Sequence, residues 1–223
     1  MTDFEELVLS RRSVRGFKDQ PVPDDVLKKI FSQAQLAPSG CNAQPWRCYV
    51  LSGQARYNIS RALVNAVIVG EPLQPDFKLP LDSPFPQIYQ ERQHQCAAAL
   101  YTAMGIARED KSGRSTAFIN NFKFFNAPHV AFIFMHKNFS EIGALDIGIY
   151  VQTLALAMTN YGVSSCIQES LGFYPHIVRQ FCDVPEDYNL VIGISFGFED
   201  RDVAANNAQT HRAPLLESTV FME

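Results

Sequence analysis

The feature that most constrains this chain is the stretch 142–161, which is apolar around nearly the whole circumference of a helix. Such a helix has no polar face to present to water, so it has to be covered on every side. No stretch of the chain reaches the roughly 20 consecutive apolar residues that a membrane span needs. We therefore expect a buried core helix, with a subunit interface as one way of covering it.

Length and composition predict one globular domain over residues 1–223, because a 223-residue chain with 47% hydrophobic residues can bury a sizeable core. Five cysteines, an odd number without a C-x-x-C pair, argue against a disulfide framework and against a metal site. The start of the chain lacks the pattern of a signal peptide, which favours the cytoplasm. A net charge of −4 argues against nucleic acid as a partner, and no membrane partner is expected.

The periodicity of apolar residues predicts more helices than strands. Helices are expected at residues 4–8, 26–34, 54–69, 90–107 and 142–161, and strands at 46–51, 129–136, 166–168 and 189–198. The strands are scattered along the chain and do not alternate regularly with helices. This arrangement indicates an α+β fold and not a repeating βαβ array.

Five prolines between residues 71 and 88 exclude regular structure there. A long irregular loop in a compact domain is commonly a lid or a binding loop, so this segment and the following Tyr89, Arg92 and His94 are predicted to contact a substrate. Their aromatic and basic groups suit a flat, anionic aromatic molecule. An inert surface insertion or an arm that packs in a dimer remains an equally good interpretation.

Residues 7–18 (LVLSRRSVRGFK) contain four cations, two serines and no acid, in a chain that is acidic overall. Arg11, Arg12, Ser13 and Arg15 are the charge-assisted donors and hydroxyl that a phosphate monoester requires. In an extended segment, alternate positions would project to the same side. A solvated basic surface is the alternative.

A second segment, residues 37–46 (APSGCNAQPW), follows the helix predicted at 26–34. Alone it is typical of a polar turn between a helix and a strand. Together, however, the two segments resemble the N-terminal half of the FMN-dependent nitroreductase family, which has Arg-Arg-Ser-x-Arg-x-Phe followed by Pro-Ser-x-x-Asn-x-Gln-Pro-Trp. The resemblance implies that Arg11 and Ser13 hold the FMN phosphate, and that Arg15 approaches the N1–O2 edge of the flavin. It also implies flavin contacts, often to the neighbouring subunit's cofactor, from Pro38, Ser39, Asn42 and Gln44.

Three later segments extend the resemblance over nearly the whole chain outside residues 71–88. In residues 120–128, Asn120 and Lys123 match flavin contacts, and their i, i+3 spacing would put them on one helix face; a solvent-facing polar edge is the alternative. In residues 162–172, the backbone of Gln168, Glu169 and Ser170 matches a segment that lies against flavin N5. Near the C-terminus, Arg212 matches an arginine that closes the phosphate site.

The resemblance implies a nitroreductase fold, with a central, mostly antiparallel sheet surrounded by helices in an intertwined homodimer. It also implies FMN as cofactor, NADH or NADPH as hydride donor to N5, and a nitroaromatic compound or quinone as acceptor, with ping-pong kinetics. No side chain is expected to act as a catalytic acid or base, because the flavin carries the chemistry. A deiodinase-like reductive dehalogenase is the alternative within the family.

Two alternatives come from other classes of protein. A flavin-binding or scavenging protein would carry the same residues. A serine hydrolase is suggested by the G-x-S-x-G pattern at residues 193–197, with Ser195 as nucleophile, Asp200 or Asp202 as acid and His211 as base. The pattern is followed by a charged turn and not by the helix that a nucleophile elbow needs. We therefore interpret its glycines as close-packing positions in a core strand.

Overall fold

A four-stranded antiparallel sheet forms the centre of the protein in the computed structural model, which describes residues 3–77 and 85–223. Its strands are β1 (Trp46–Ser52), β2 (His129–His136), β3 (Ser164–Gln168) and β4 (Tyr188–Gly197). They lie in the order β1-β2-β4-β3, so β1 and β3 are the edges. Every neighbouring pair is antiparallel. The sheet agrees with the predicted α+β architecture.

Seven α-helices occur in the described part of the chain. They are α1 (Phe4–Ser10), α2 (Asp24–Ala34), α3 (Gly53–Ile68), α4 (Gln87–Ala103), α5 (Lys111–Phe122), α6 (Glu141–Asn160) and α7 (Pro175–Cys182). Short 3-10 turns join several of them to the strands. Helices and strands together account for most of the described residues.

The fold has three layers, because helices cover both faces of the sheet, and strand β2 shows this most clearly. Its side chains alternate between the two faces of the sheet, and all residues from His129 to Met135 are buried. Val130, Phe132 and Phe134 belong to a core cluster with α3, α5 and α7, whereas Ala131, Ile133 and Met135 belong to a second cluster with α2 and α6. A strand covered on both faces needs a continuous apolar sequence, which is what HVAFIFM supplies.

Helix α6 covers the second face of the sheet, as its apolar sequence predicts. Tyr150 and Leu154 are completely buried, and the Trp46 ring stacks on Tyr150 at a centroid distance of 4.7 Å. The prediction of burial on every side is wrong for the single chain, because Ile142 and Leu145 are 71% and 65% exposed. Among the described residues, α6 is long and apolar enough to cross a membrane by composition, but half of it is buried in this core.

Most predicted elements are confirmed with shifted ends. Strand 129–136 is exact, and strands 46–51, 166–168 and 189–198 shift by one or two residues. Helix α4 begins at Gln87, so the prediction that residues 71–88 contain no regular structure is wrong at its end. Pro86 precedes the first helical residue, a position where the missing N–H costs nothing. Residues 78–84, the middle of that segment, lie outside the described residues.

Helices α5 and α7 were absent from the predictions. The sequence of α5, KSGRSTAFINNF, has glycine, serine and threonine in place of strong helix formers. Its start is fixed by Asp110, whose carboxylate accepts a hydrogen bond from the Gly113 N–H at 2.8 Å. Helix α7 has only eight residues and is held by packing of Ile177 and Val178 in the core.

His129 joins the loop before α2 to the sheet. The backbone N–H of Val22 donates to His129 Nε2 at 2.9 Å, so Nδ1 carries the proton and donates to the Ser52 hydroxyl. The imidazole also stacks on Phe196, with ring centroids 5.2 Å apart. Burial lowers the pKa of His129 below its ordinary value of 6.5, and the charge of Asp24 partly opposes this.

This environment predicts a specific acid sensitivity. Unfolded His129 takes up a proton near its ordinary pKa of 6.5, whereas the folded imidazole does so only at lower pH. The contribution of His129 to stability is therefore complete above pH 6.5 and decreases as the pH falls toward the folded pKa. His129→Gln keeps an acceptor for Val22 and removes the titration, so its free energy of unfolding should fall less between pH 7 and 5.

Denaturant unfolding at several pH values measures this difference. His94→Gln is the matched control, because His94 lies on exposed α4, and it should keep the slope of the parent protein. Parallel profiles for His129→Gln and the parent would show that protonation of His129 does not limit stability.

Candidate functional site

The basic segment leaves α1 in an extended conformation along the edge strand β3. Ser13 pairs in parallel with Ser165, and the Val14 N–H donates to the Ser165 carbonyl at 3.0 Å. Val14 and Phe17 are buried and anchor the segment in the core. The alternation expected of an extended chain therefore applies, with Arg11, Ser13 and Arg15 at alternate positions.

Asn206 fixes this segment from the C-terminal part of the chain. Its side-chain amide donates to the carbonyls of Gly16 at 2.9 Å and Asp200 at 2.8 Å, and its side-chain oxygen accepts from the Arg15 N–H at 2.6 Å. Its own carbonyl accepts from Arg12 Nη1 at 2.7 Å. Asn206 is only 6% exposed, so these bonds satisfy a buried polar group and hold the basic segment in place.

The guanidinium of Arg12 is engaged within the chain, because it also forms an ion pair with Glu199. It borders a cavity of about 580 Å³ that includes Lys18 and Ser164. Arg12 is predicted to bind the cofactor together with its neighbours. In this structure its guanidinium also ties the basic segment to Glu199, just after β4.

Two of the alternate residues, Ser13 and Arg15, lie close to Cys166. Burial raises the pKa of the Cys166 thiol to about 11, and the charge of Arg15 and a hydrogen bond with Ser13 partly oppose that rise. Within the described residues, the Arg15 guanidinium forms one hydrogen bond, to the Ser13 carbonyl at 3.4 Å. The Arg11 guanidinium makes no hydrogen bond to any residue in the ranges 3–77 and 85–223. Arg11 is therefore a strong donor on a fixed backbone, which fits an anionic ligand such as a phosphate.

The turn at residues 38–44 is anchored to α6. Both carboxylate oxygens of buried Asp146 lie 3.2 Å from the Gly40 N–H, and the Ser39 hydroxyl accepts from the Gln44 N–H at 2.9 Å. Asn42 and Gln44 have positive φ angles of 55° and 49°, an uncommon conformation outside glycine. This strain accords with a functional turn.

The exposed groups of that turn are separate from the basic segment within one chain. Pro38, Asn42 and Gln44 are exposed and Ser39 is partly exposed. Across the part of the chain that the structure describes, no hydrogen bond joins this turn to residues 11–15. The two sets of predicted flavin contacts are therefore not brought together directly.

The end of α5 approaches the other end of β3. Asn120 lies in the last turn of α5, and Lys123 is the residue that caps it, so Lys123 follows the helix instead of lying on its face. Gln168 is buried, and its side-chain nitrogen donates to the backbone and side-chain oxygens of Asn121, at 3.0 and 3.2 Å. Within residues 3–77 and 85–223, the side chains of Asn120 and Lys123 form no hydrogen bond.

The segment after β3 is a 3-10 turn that contains Glu169 and Ser170, exposed and partly exposed, respectively. Ser195 donates to the side-chain oxygen of Gln168 from the interior of β4. Ser195 is fully buried in a continuous strand, so it does not occupy a nucleophile elbow, and the hydrolase alternative is wrong. A Cβ at Gly193 would lie 2.5 Å from Leu171, which confirms the close packing expected of this glycine.

Helix α4 carries the predicted substrate contacts and has no buried residue. The Arg92 guanidinium lies 5.6 Å from the centre of the Tyr89 ring and 2.9 Å from a Glu217 carboxylate oxygen. His94 is exposed on the same helix. Arg212 is exposed in the C-terminal tail and bonds only locally, to Thr210 and the His211 carbonyl, within the residues described.

Two sets of predicted residues thus flank β3. Arg11, Ser13 and Arg15 lie near Ser165, and Asn120 and Lys123 lie near Gln168, three residues along the strand, or about 10 Å at 3.3 Å per residue. Arg212 and the 38–44 turn are not joined to either set. Sequence reasoning assigned no role to the Asn206 side chain, because an asparagine in an irregular tail carries no periodic signal.

Comparison with known proteins identifies the class. The model of the nitroreductase family matches residues 8–198. This chain therefore belongs to the nitroreductase family, and the predictions of that family, of an α+β fold and of an oxidoreductase are confirmed.

Individual relatives agree over nearly the whole chain. Nitroreductase NfnB of Mycolicibacterium smegmatis is 40% identical over 217 residues, covering 97% of this chain and 92% of the relative. Chloronitrobenzene nitroreductase of Comamonas testosteroni is 33% identical over 220 residues, covering 98% and 96%. The crystal structure of FMN-dependent NfnB from Mycobacterium smegmatis with NADPH has a TM-score of 0.94 at 39% identity, covering 98% of this chain and 97% of that one.

The Asn206 hydrogen bonds yield a stability prediction. Asn206→Ala leaves the Arg15 N–H without its acceptor, whereas the Gly16 and Asp200 carbonyls keep the backbone N–H groups of Asp200 and Val203 as donors. One buried unsatisfied group costs about 1–3 kcal/mol, so we expect the free energy of unfolding to fall by about that amount. Asn207→Ala, at the exposed neighbouring position, should change it by less than about 0.5 kcal/mol. If denaturant unfolding shows equal effects for Asn206→Ala and Asn207→Ala, the Asn206 hydrogen bonds do not stabilise the basic segment.

Proposed function

We propose that this protein is an FMN-dependent oxidoreductase that uses NADH or NADPH to reduce nitroaromatic compounds. The observation that carries the proposal is an anchored backbone that holds Ser13, Arg15 and Arg11 at alternate positions, with the Arg11 guanidinium free of hydrogen bonds among the described residues. The relatives' names support the substrate class, because they include a chloronitrobenzene nitroreductase and 4-nitrobenzoate reductases. They favour nitro reduction over the dehalogenase alternative.

FMN would supply the redox chemistry, accepting hydride from the nicotinamide and passing two electrons to the acceptor. The chain supplies binding, orientation and charge. Arg11 and Ser13 would bind the phosphate, with Arg212 closing that site. Arg15 and Lys123 would place cations beside the N1–O2 edge, where reduction leaves negative charge.

The segment 168–170 would present backbone N–H groups toward N5. The Gln168 side chain cannot contact a ligand in this arrangement, since Asn121 and Ser195 occupy it. A backbone donor is well suited to such a position, because its direction is fixed and it does not titrate in the physiological pH range. One face of the flavin serving both substrates in turn implies ping-pong kinetics, with quinones as further acceptors.

We propose a homodimer in which each flavin site takes residues from both subunits. Pro38, Ser39, Asn42 and Gln44 stand on a strained turn that is not joined to the basic segment of its own chain. The exposed Ile142 and Leu145 of α6 and Phe4 of α1, which is 71% exposed, provide apolar surface for a second copy. A symmetric dimer would bring the turn of one subunit to the basic segment of the other.

The acceptor would be selected by the start of α4. Tyr89 and His94 are exposed there, and Arg92 is held between Tyr89 and Glu217. An ordered aromatic and basic surface of this kind suits a flat, anionic acceptor. The lid or dimer-packing arm predicted at residues 71–88 of the single domain ends in the first turn of α4, and its middle lies outside the described residues.

The phosphate assignment is tested with Arg11→Ala and two ligands that differ only in the phosphate group. Hydrogen bonds to charged groups contribute about 1.5–3 kcal/mol, so the Kd for FMN should rise by about one to two powers of ten. The Kd for riboflavin, which lacks the phosphate, should remain within about twofold. Equal weakening of both ligands would assign Arg11 to the ring or to folding.

Catalysis is separated from flavin scavenging by mixing the yellow protein with NADPH or NADH. A reductase should lose its flavin absorbance within one turnover and recover it when a nitroaromatic acceptor is added. A flavin-scavenging protein would keep its colour.

The dimer is tested by light scattering of the FMN-loaded protein, which should give twice the mass of the 25.0 kDa chain. A monomer with FMN bound would contradict the shared site.

Acceptor selection is tested with Tyr89→Ala and Arg92→Ala. Both variants should keep FMN, while their relative kcat/KM values for anionic and neutral nitroaromatics should change by about tenfold, since one charged contact contributes about 1.4 kcal/mol or more. Lys29→Ala, in an exposed ion pair on α2, is the control. Unchanged relative rates across acceptors would remove α4 from the substrate pocket.

A further inference from the structure

The C-terminal end of α5 is capped by side chains of other elements. Three successive carbonyls, of residues 121, 122 and 123, each accept one such bond. Gln168 donates to Asn121 at 3.0 Å, Ser60 to Phe122 at 2.9 Å and Arg56 to Lys123 at 2.6 Å. The last carbonyls of a helix have no partner within the helix, so these bonds complete its end.

Two of the three donors lie one turn apart on α3. Ser60 is buried, and the Arg56 guanidinium packs 5.3 Å from the centre of the Phe124 ring. A cation beside the last carbonyls also complements the negative end of the helix dipole. Helix α3 therefore holds the end of α5 through both hydrogen bonding and charge.

The residues immediately after Lys123 are strained. Phe124, Phe125 and Asn126 have φ angles of 58°, 51° and 63°, in the left-handed region that side chains other than glycine rarely adopt. Such a run persists only where the surroundings determine it, and both phenylalanine rings are buried. The backbone at Lys123 is thus fixed between a capped helix end and an enforced turn.

We propose that Arg56 and Ser60 are positioning residues that fix the backbone of Lys123, so that its ammonium group reaches the flavin. This inference rests on the proposed function and extends it to residues on α3 that need not touch the cofactor. Lys123 is exposed and its side chain is long and flexible, so only a fixed backbone can restrict where its charge lies. Arg56 would act through the Lys123 carbonyl and not through its own charge at the flavin.

The test is a double-mutant cycle between positions 56 and 123 in the full-length protein. Arg56→Ala should weaken FMN binding by about tenfold, which corresponds to about 1.4 kcal/mol. In a Lys123→Ala background, where no ammonium remains to be placed, the same change should have almost no effect. Arg56→Ala should also lower the reduction potential of bound FMN, because the cation is then displaced from the edge that becomes negative.

Two further variants keep the result interpretable. Arg61→Ala is the control, since Arg61 lies on the same helix, borders a surface groove together with Arg56 and Lys123, and caps no carbonyl among the described residues. Ser60→Ala tests the second cap by a smaller change and should reproduce the direction of both shifts. Thermal unfolding of each variant shows whether it is folded. If Arg56→Ala does not fold, the FMN affinity and the reduction potential of Ser60→Ala test the inference.

The inference is overturned if Arg56→Ala weakens FMN binding equally with and without the Lys123 side chain, or if Arg56→Ala and Arg61→Ala behave alike. It is also overturned if stability falls while FMN affinity and potential stay unchanged. Failure of the proposed function would look different, because the parent protein itself would then bind no FMN.

Discussion

The hydrogen bonds of the buried Asn206 side chain join the two ends of the chain, and the candidate site depends on them. They fix Arg15 and Gly16 from a position about 190 residues away in sequence. With Glu199 engaging Arg12, they hold an extended segment against β3 that would otherwise be an exposed basic strand.

The polar side chains of the site are of two kinds, those that hold the backbone and those that are free to bind a ligand. The first kind form their hydrogen bonds within the protein and comprise Asn206, Arg12, Gln168, Ser60, Arg56 and Asp146. Arg11, Lys123 and Asn120 have side chains without such bonds in the described ranges and stand on that backbone. A ligand-binding site needs both kinds, because a charged donor discriminates between ligand positions only if its own position is defined. Edge strand β3 connects the two groups of donors and sets their spacing.

The sequence predicts the central part of this protein well, because β2 and α6 are buried through apolar patterns that local periodicity records. It predicts Arg11 as a donor through an N-terminal motif, and Asn120 and Lys123 through a later segment, all by resemblance to a family. It fails where structure is determined by contacts distant in sequence. The caps on α5 from Arg56 and Ser60, and the role of Asn206, each join segments more than 60 residues apart. The polar sequence of α5 likewise gave no helical signal, since its stability comes from Asp110 and from tertiary packing.

A crystal structure of the purified protein with FMN bound would show where the phosphate lies. We expect the phosphate within hydrogen-bond distance of Arg11 and Ser13. We also expect the ring edge near Arg15 and Lys123, and the turn at residues 38–44 contributed by the partner subunit. A phosphate bound instead in the cavity lined by Arg12, Lys18 and Ser164, with Arg11 free, would show that Arg11 does not bind the phosphate.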